Sequence, residues 1–348
     1  MKKIDSISSI YDHGHMSSKQ FSLLLDACRH AHVDAVKAYA TKHNVNRSDD
    51  KYYDRNVTPL FTALSSDDEN TLEIVQHLLD LGANPRYRLL GECLLERACS
   101  HRYYTDVVKL LIKRGMDVNA ISVPYESATT PLITAVREDN REIVNVLLDA
   151  GADPFLTVGI PHRSALHVAC RENHLYLLSL LCEQIDDPSS IDERVCGQSV
   201  MDVAIEKNRL GCVQLLCAYY GAKRPHPHSA TSPTVRAWLT RTQYHSTPLH
   251  YLDVIDRDFA HRQIRKNPAT IHASSLPGGR TPLSIAMEMD AEGLAPKGTA
   301  AYEVLSAFKE ETQSKILPGK GTTTPDATVQ TVGAKTIVET KAHLPRDC

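Results

Sequence analysis

Thr130-Pro131-Leu132-Ile133-Thr134-Ala135 is the stretch from which the rest of the chain is read. The same order of residue types returns as Thr58-Pro59-Leu60-Phe61-Thr62-Ala63, as Ser164-Ala165-Leu166-His167-Val168-Ala169 and as Thr281-Pro282-Leu283-Ser284-Ile285-Ala286. Thr247-Pro248-Leu249-His250 is a shortened copy, and looser copies start at Ser22, Cys93 and Ser199. The eight starts, at 22, 58, 93, 130, 164, 199, 247 and 281, are 36, 35, 37, 34, 35, 48 and 34 residues apart. Thr suits the position before a helix because its hydroxyl caps a free N–H. Pro suits the first turn, where its missing N–H is not needed.

Each start is followed by a polar turn and a second apolar segment. Ile74-Val75-Gln76-His77-Leu78-Leu79, Val107-Val108-Lys109-Leu110-Leu111 and Ile143-Val144-Asn145-Val146-Leu147-Leu148 show it best. Apolar residues at i, i+1, i+4 and i+5 place one wide apolar face on a helix. Gly82, Gly115, Gly151 and Gly221 follow these segments, where a glycine accepts the left-handed helix-ending conformation. The period, the order and the Thr-Pro-Leu-His-x-Ala type of signature resemble the ankyrin repeat family over about residues 18–310. The resemblance implies a mainly α repeat solenoid: stacked helix-turn-helix units with short β-hairpin fingers, each unit burying its apolar face only against its neighbours.

The departures from the pattern set the expected organisation. Residues 1–17 are an N-terminal extension, and 18–223 hold repeats one to six, with the Ser22 copy as a polar-faced cap. The 48-residue spacing marks an insertion or hinge at 224–246, rich in helix-breaking Pro and His. Within it, Thr234–Arg241 is read as a short helix whose Trp238 covers the end of the sixth repeat. Two C-terminal repeats occupy 247–311, and 312–348 reads as a disordered tail because Gly, Thr, Lys and Pro replace the helical pattern.

Composition narrows the function. The 348 residues are 42% hydrophobic, enough for a packed core, and Lys+Arg 39 against Asp+Glu 42 gives no electrostatic drive toward nucleic acid or acidic membranes. No apolar run approaches the roughly 18 residues of a membrane span, and the polar N-terminus is no signal peptide. The nine cysteines form no CxxC and are read as reduced, which points to a cytoplasmic protein, with the nucleus as an alternative. His13-Gly14-His15, His30-Ala31-His32 and His226-Pro227-His228 lack companion ligands for a metal. No phosphate loop, dinucleotide fingerprint, zinc-protease motif or nucleophile elbow is present. The expectation is a non-enzymatic, monomeric protein with no cofactor.

Ankyrin repeats bind other proteins through the fingers and the exposed end of each first helix, and the resemblance implies the same use here. Positions seven and eight after each start read His101 (after Ser100), Arg137-Glu138, Arg171-Glu172 and Glu206-Lys207. Finger residues just before each start include Arg55, Glu126, Arg163, Gln198 and Arg280, with Tyr125 and His162 in the same loops. Together they predict a concave, mixed-charge stripe rich in arginine, whose planar fork pairs bidentately with partner groups. The predicted partner is another protein, engaged by a scaffold. The alternatives are a secreted bacterial effector acting on host proteins in the host cytosol, and a substrate adaptor of a ubiquitin ligase. Finally, Leu111, eight residues before Asn119, together with Asp117-Val118-Asn119 resembles the pattern that an Fe(II)/2-oxoglutarate asparaginyl hydroxylase recognises in ankyrin repeats, which makes Asn119 a candidate modification site.

Overall fold

The computed structural model describes residues 18–48, 57–66, 68–123, 128–159, 163–185, 191–194, 197–242, 245, 247–274 and 279–316. Six helix pairs come first: α1 (Ser18–Arg29) with α2 (Val33–Tyr39), α3 (Pro59–Ala63) with α4 (Thr71–Asp80), and α5 (Leu94–Cys99) with α6 (Thr105–Lys113). Then follow α7 (Pro131–Arg137) with α8 (Arg141–Asp149), α9 (Ala165–Glu172) with α10 (Leu175–Cys182), and α11 (Val200–Glu206) with α12 (Leu210–Ala218). Helix α13 (Pro233–Arg241) stands alone. After it come α14 (Arg257–Lys266), α15 (Pro282–Ala291) and α16 (Ala300–Ile316).

The starts behave as helix caps. Thr58 and Thr130 accept the N–H of Phe61 and Ile133, and Pro follows each at the first helical position. Cys93, which replaces Thr, caps α5 through its sulfur, accepting the Glu96 N–H at 3.3 Å. The alanine closing each signature is buried: Ala98, Ala135, Ala169, Ala204 and Ala286 are all fully covered, so a neighbouring helix can lie close. The substantial contacts between helices all fall within one pair or between adjacent pairs, such as α5 on α7, α7 on α9 and α9 on α11. That is the contact pattern of a solenoid, with one continuous core running through it.

The predicted helix ends hold. Gly82, Gly115, Gly151 and Gly221 all have positive φ, between +67° and +94°. The fingers are less regular than a row of hairpins. The described residues include a two-stranded hairpin, β1 (Arg88–Leu89) with β2 (Glu92–Cys93), and isolated bridge residues such as Val158 with Arg163. Side-chain turns replace the ladder elsewhere: Asp117 and Asp153 accept the N–H two residues on, from Asn119 at 2.9 Å and Phe155 at 2.8 Å. At Gly91 no side chain fits, because a Cβ would lie 1.9 Å from the Val123 carbonyl oxygen of the next finger.

Three expectations change. Ser22 lies inside α1 and does not cap it, because the helix already begins at Ser18. The Thr247 copy forms only a 3-10 turn, Pro248–His250, in place of a first α-helix. Leu252 there stands where the other copies have alanine, and its bulk replaces the close-packed helix contact. Helix α16 runs to Ile316 and takes in the first five residues of the expected tail, and the remainder, 317–348, lies outside the described residues.

The hinge contains the expected helix. In α13, Val235 and Leu239 are fully buried and Trp238 is 5% exposed, and the helix packs on α12. Trp238 stacks on Tyr251 with ring centroids 5.7 Å apart, which ties the hinge to the seventh copy.

Candidate functional site

Four of the predicted contact residues, Arg55, Tyr125, Glu126 and His162, lie outside the described residues. The rest sit at the C-terminal ends of successive first helices and on one finger. Arg137 ends α7 and Glu138 is its C-cap; both are exposed, and among the described residues neither forms an ion pair. Arg171 and Glu172 end α9 and pair with each other at 2.7 Å. Glu206 ends α11 and Lys207 caps it, their charges 2.9 Å apart. Because α7 packs on α9 and α9 on α11, these three positions form one row.

Secondary contacts hold the row in place. Arg209 donates from Nε and Nη2 to the Arg171 carbonyl at 3.1 and 3.0 Å, fixing the end of α9 from the next repeat. Gln198 donates to Glu206 at 3.0 Å. Hydrogen bonds from Lys207 and Gln198, with the charge of Arg163, hold the exposed Glu206 carboxyl below its ordinary range. Arg163 itself is anchored by two backbone hydrogen bonds with Val158, at 3.1 and 3.0 Å. His101 is half-buried and its ring lies 4.7 Å from that of Tyr104, so it belongs to the turn more than to the open stripe. The pairing differs from a simple alternation of free charges: two of the three pairs are satisfied internally, and Arg137-Glu138 is the open one.

The fourth position of the signature carries chemistry that the sequence reading passed over. At His250, Nδ1 accepts from the Thr247 N–H at 3.2 Å, which leaves the proton on Nε2, and Nε2 donates to the Arg280 carbonyl of the next finger at 3.2 Å. At His167, Nδ1 lies 2.9 Å from the Ser164 hydroxyl, and burial lowers the imidazole against the opposing pull of the Gln198 backbone. The third copy has Glu96 at this place. Its side chain is 7% exposed, and Oε2 has no hydrogen-bond partner among the described residues. Burial, reinforced by the neighbouring Glu92, pushes the Glu96 carboxyl up to about 7, while Arg137 and Arg88 pull the other way. The signal was an acid where two other copies have His.

Asn119 is structurally engaged. Its Nδ2 donates to the Gly151 carbonyl at 3.3 Å and its Oδ1 accepts the Asp153 N–H at 2.9 Å, so one side chain joins two adjacent fingers. Asn46 makes the same pair of bonds one finger apart, to the Gly82 carbonyl and from the Asn84 N–H, at 2.8 and 2.6 Å. Among the described residues no group of three His, Cys, Asp or Glu is placed to hold a metal, and no helix is long and apolar enough to cross a membrane. A cleft of about 380 Å³ between α4 and α6, lined by Leu72, Tyr103 and Asp106 among others, contains none of the predicted contact residues.

Residues 68–158 match the family model for ankyrin repeats, in three copies. Over 174 residues, 43% of this chain, the sequence is 29% identical to the ANK repeat-containing protein nipk-1 of Caenorhabditis elegans. It is 32% identical over 97 residues, 28% of the chain, to the human ankyrin repeat and SOCS box protein 16. It is 28% identical over 171 residues, 49% of the chain, to the ankyrin repeat and KH domain-containing protein mask-1 of Caenorhabditis elegans. The matched stretches span 28%, 20% and 6% of those relatives' own lengths. Residues 68–158 are thus matched as ankyrin repeats, and the described helices stack as the helical solenoid that such repeats build.

Proposed function

We propose that this chain is a non-enzymatic scaffold that binds a partner protein along the row formed by Arg137-Glu138, Arg171-Glu172 and Glu206-Lys207, with Arg163 beside it. The observation that carries this reading is the placement of charged residues at the ends of three successively packed first helices, with Arg137 and Glu138 exposed and making no ion pair among the described residues. Row charges of both signs suit a protein with mixed charges better than a polyanion. The buried free cysteines fit a reducing compartment such as the cytoplasm. Affinity capture from native cells, comparing the parent chain with an Arg137→Ala, Arg171→Ala variant, tests the proposal. The true partner is lost from the variant. An unchanged set of captured proteins argues against the row.

The likeness to an ankyrin repeat and SOCS box protein favours a second reading, in which the bound protein is handed to a ubiquitin ligase. Ubiquitin-ligase subunits among the captured proteins support it, and their absence counts against it. Asn119 is a proposed substrate of an asparaginyl hydroxylase. Mass spectrometry after incubation with such an enzyme and 2-oxoglutarate shows a gain of one oxygen on Asn119 if this is right, and an unmodified peptide if the residue serves only to join fingers.

A further inference from the structure

The cleft between α4 and α6 shares no residue with the row of first-helix ends, and its lining differs in kind. The positions that carry charge in the fourth to sixth repeats are Ser65-Ser66 and Ser100-His101 in the second and third. There the chain instead presents large apolar side chains from consecutive repeats to one cavity. Leu72, in the first turn of α4, is 38% exposed, and Tyr103, in the turn leading into α6, is 83% exposed; the buried Val107 lines the same space. The volume of about 380 Å³ is that of a small ligand pocket. Three acids line it as well, Asp68, Glu69 and Asp106, and among the described lining residues none is a lysine or arginine. Asp106 pairs with Lys109 at 3.1 Å, with both ends exposed and therefore screened by water. Asp68 and Glu69 make no ion pair among the described residues. The positive helix ends do not cancel this charge. Asp68 accepts the Asn70 N–H at 2.8 Å before α4, and Asp106 stands in the first turn of α6, so each end already faces an acid.

We propose that this cleft docks a segment of a partner protein that carries an arginine beside a bulky apolar side chain. The apolar side chain covers Leu72 and the Val107 floor, where water now meets hydrocarbon. The guanidinium lies on the open face of the Tyr103 ring while its N–H groups reach the carboxylates of Glu69 and Asp106. Arginine suits the place better than lysine, because one planar group both stacks on the ring and donates to two acids. An acidic segment is excluded by the three carboxylates, and a purely apolar one leaves them unanswered. This surface is independent of the row: it lies on the second and third repeats, it is acidic and aromatic where the row is mixed in charge, and neither needs the other to bind.

The test selects peptides from a random phage-displayed library on the immobilised full chain. The most enriched sequence is then made synthetically with a fluorescein label and titrated with the chain in solution by fluorescence anisotropy. The expected sequence has an arginine next to a leucine, isoleucine, phenylalanine or similar side chain. Its affinity should fall as salt is raised, and should fall by about tenfold or more for Tyr103→Ala and for Glu69→Lys. Tyr103→Phe keeps the ring and should bind as the parent does. Both positions are exposed, so all three variants should melt with the parent by circular dichroism. The Arg137→Ala, Arg171→Ala variant changes the row alone and should bind the peptide unchanged, so that failure of the row and failure of the cleft are read separately. Enrichment of no peptide, or of peptides without a basic residue, overturns the proposal. So does an affinity that Tyr103→Ala and Glu69→Lys leave as it was.

Discussion

Replacing Glu96 with Gln removes an ionisation that the fold opposes. The parent carboxyl sits 7% exposed beneath the junction of the third and fourth repeats, and burial moves it from 4.5 to about 7. In the unfolded chain it titrates at its ordinary value. Between these two values the folded chain keeps a proton that the unfolded chain has released. The stabilisation from the protonated carboxyl is therefore present in full below the unfolded value and is lost as pH rises through the folded one. At about 1.4 kcal/mol per pK unit the whole shift corresponds to at most ~3.5 kcal/mol above neutrality, and relaxation with water entry brings the expected figure to about 1–2 kcal/mol. Gln cannot ionise, so Glu96→Gln should gain on the parent by that amount at about pH 8 and lose the advantage at about pH 5. Urea unfolding followed by circular dichroism, with hydrogen exchange at the α5 amides to localise the effect, measures the gap. Parallel pH profiles for parent and variant would refute the reasoning, whatever the absolute stability of the variant.

The hinge predicts the opposite slope. His245 lies against Tyr251 with ring centroids 4.8 Å apart, and burial together with His250, Arg280, Arg224 and Arg241 lowers it from 6.5 to about 4. A neutral buried imidazole gives stability that is lost as pH falls from 6.5 toward 4, so unfolding read from Trp238 fluorescence should ease over that window, and His245→Phe should flatten the slope; an unchanged slope counts against it. Asn119→Ala removes the bonds to Gly151 and from Asp153 and should cost about 1–2 kcal/mol, with faster exchange of the Asp153 amide as the local sign. Unaltered exchange there would show that the fingers hold without the bridge.

The repeat could be read from the chain because its strongest signals are local. Thr58 and Thr130 cap the helices they precede, Pro59 and Pro131 occupy the first turn, and Gly82, Gly115, Gly151 and Gly221 take positive φ, each decided by residues a few positions away. Trp238 was readable for a similar reason: a lone large apolar ring in a short helix has to be covered. Other features depend on a neighbouring repeat and left weaker traces. The 3-10 turn at Pro248–His250 follows from Leu252 filling space where a neighbouring helix otherwise approaches alanine. The high-lying carboxyl of Glu96 depends on the cover over it and on Glu92, Arg88 and Arg137, which come from three different elements or turns. The stripe's composition was plain in the sequence. The internal pairing of Arg171 with Glu172 and Lys207 with Glu206, which leaves Arg137-Glu138 open, is a matter of side-chain direction that spacing alone does not fix.

The proposed binding face is the row of first-helix ends and not the second helices. Two double variants decide it once a partner is in hand. Arg137→Ala with Arg171→Ala removes two guanidiniums from the row, while Lys109→Ala with Asn145→Ala changes exposed positions on α6 and α8. An arginine desolvated at an interface contributes about 2 kcal/mol or more on truncation, so the first variant should weaken binding by roughly thirtyfold or more while unfolding as cooperatively as the parent. The second should bind as the parent does. Titration calorimetry of the partner against all three proteins gives the answer: loss confined to the Arg137, Arg171 variant supports the account, and loss confined to the Lys109, Asn145 variant contradicts it.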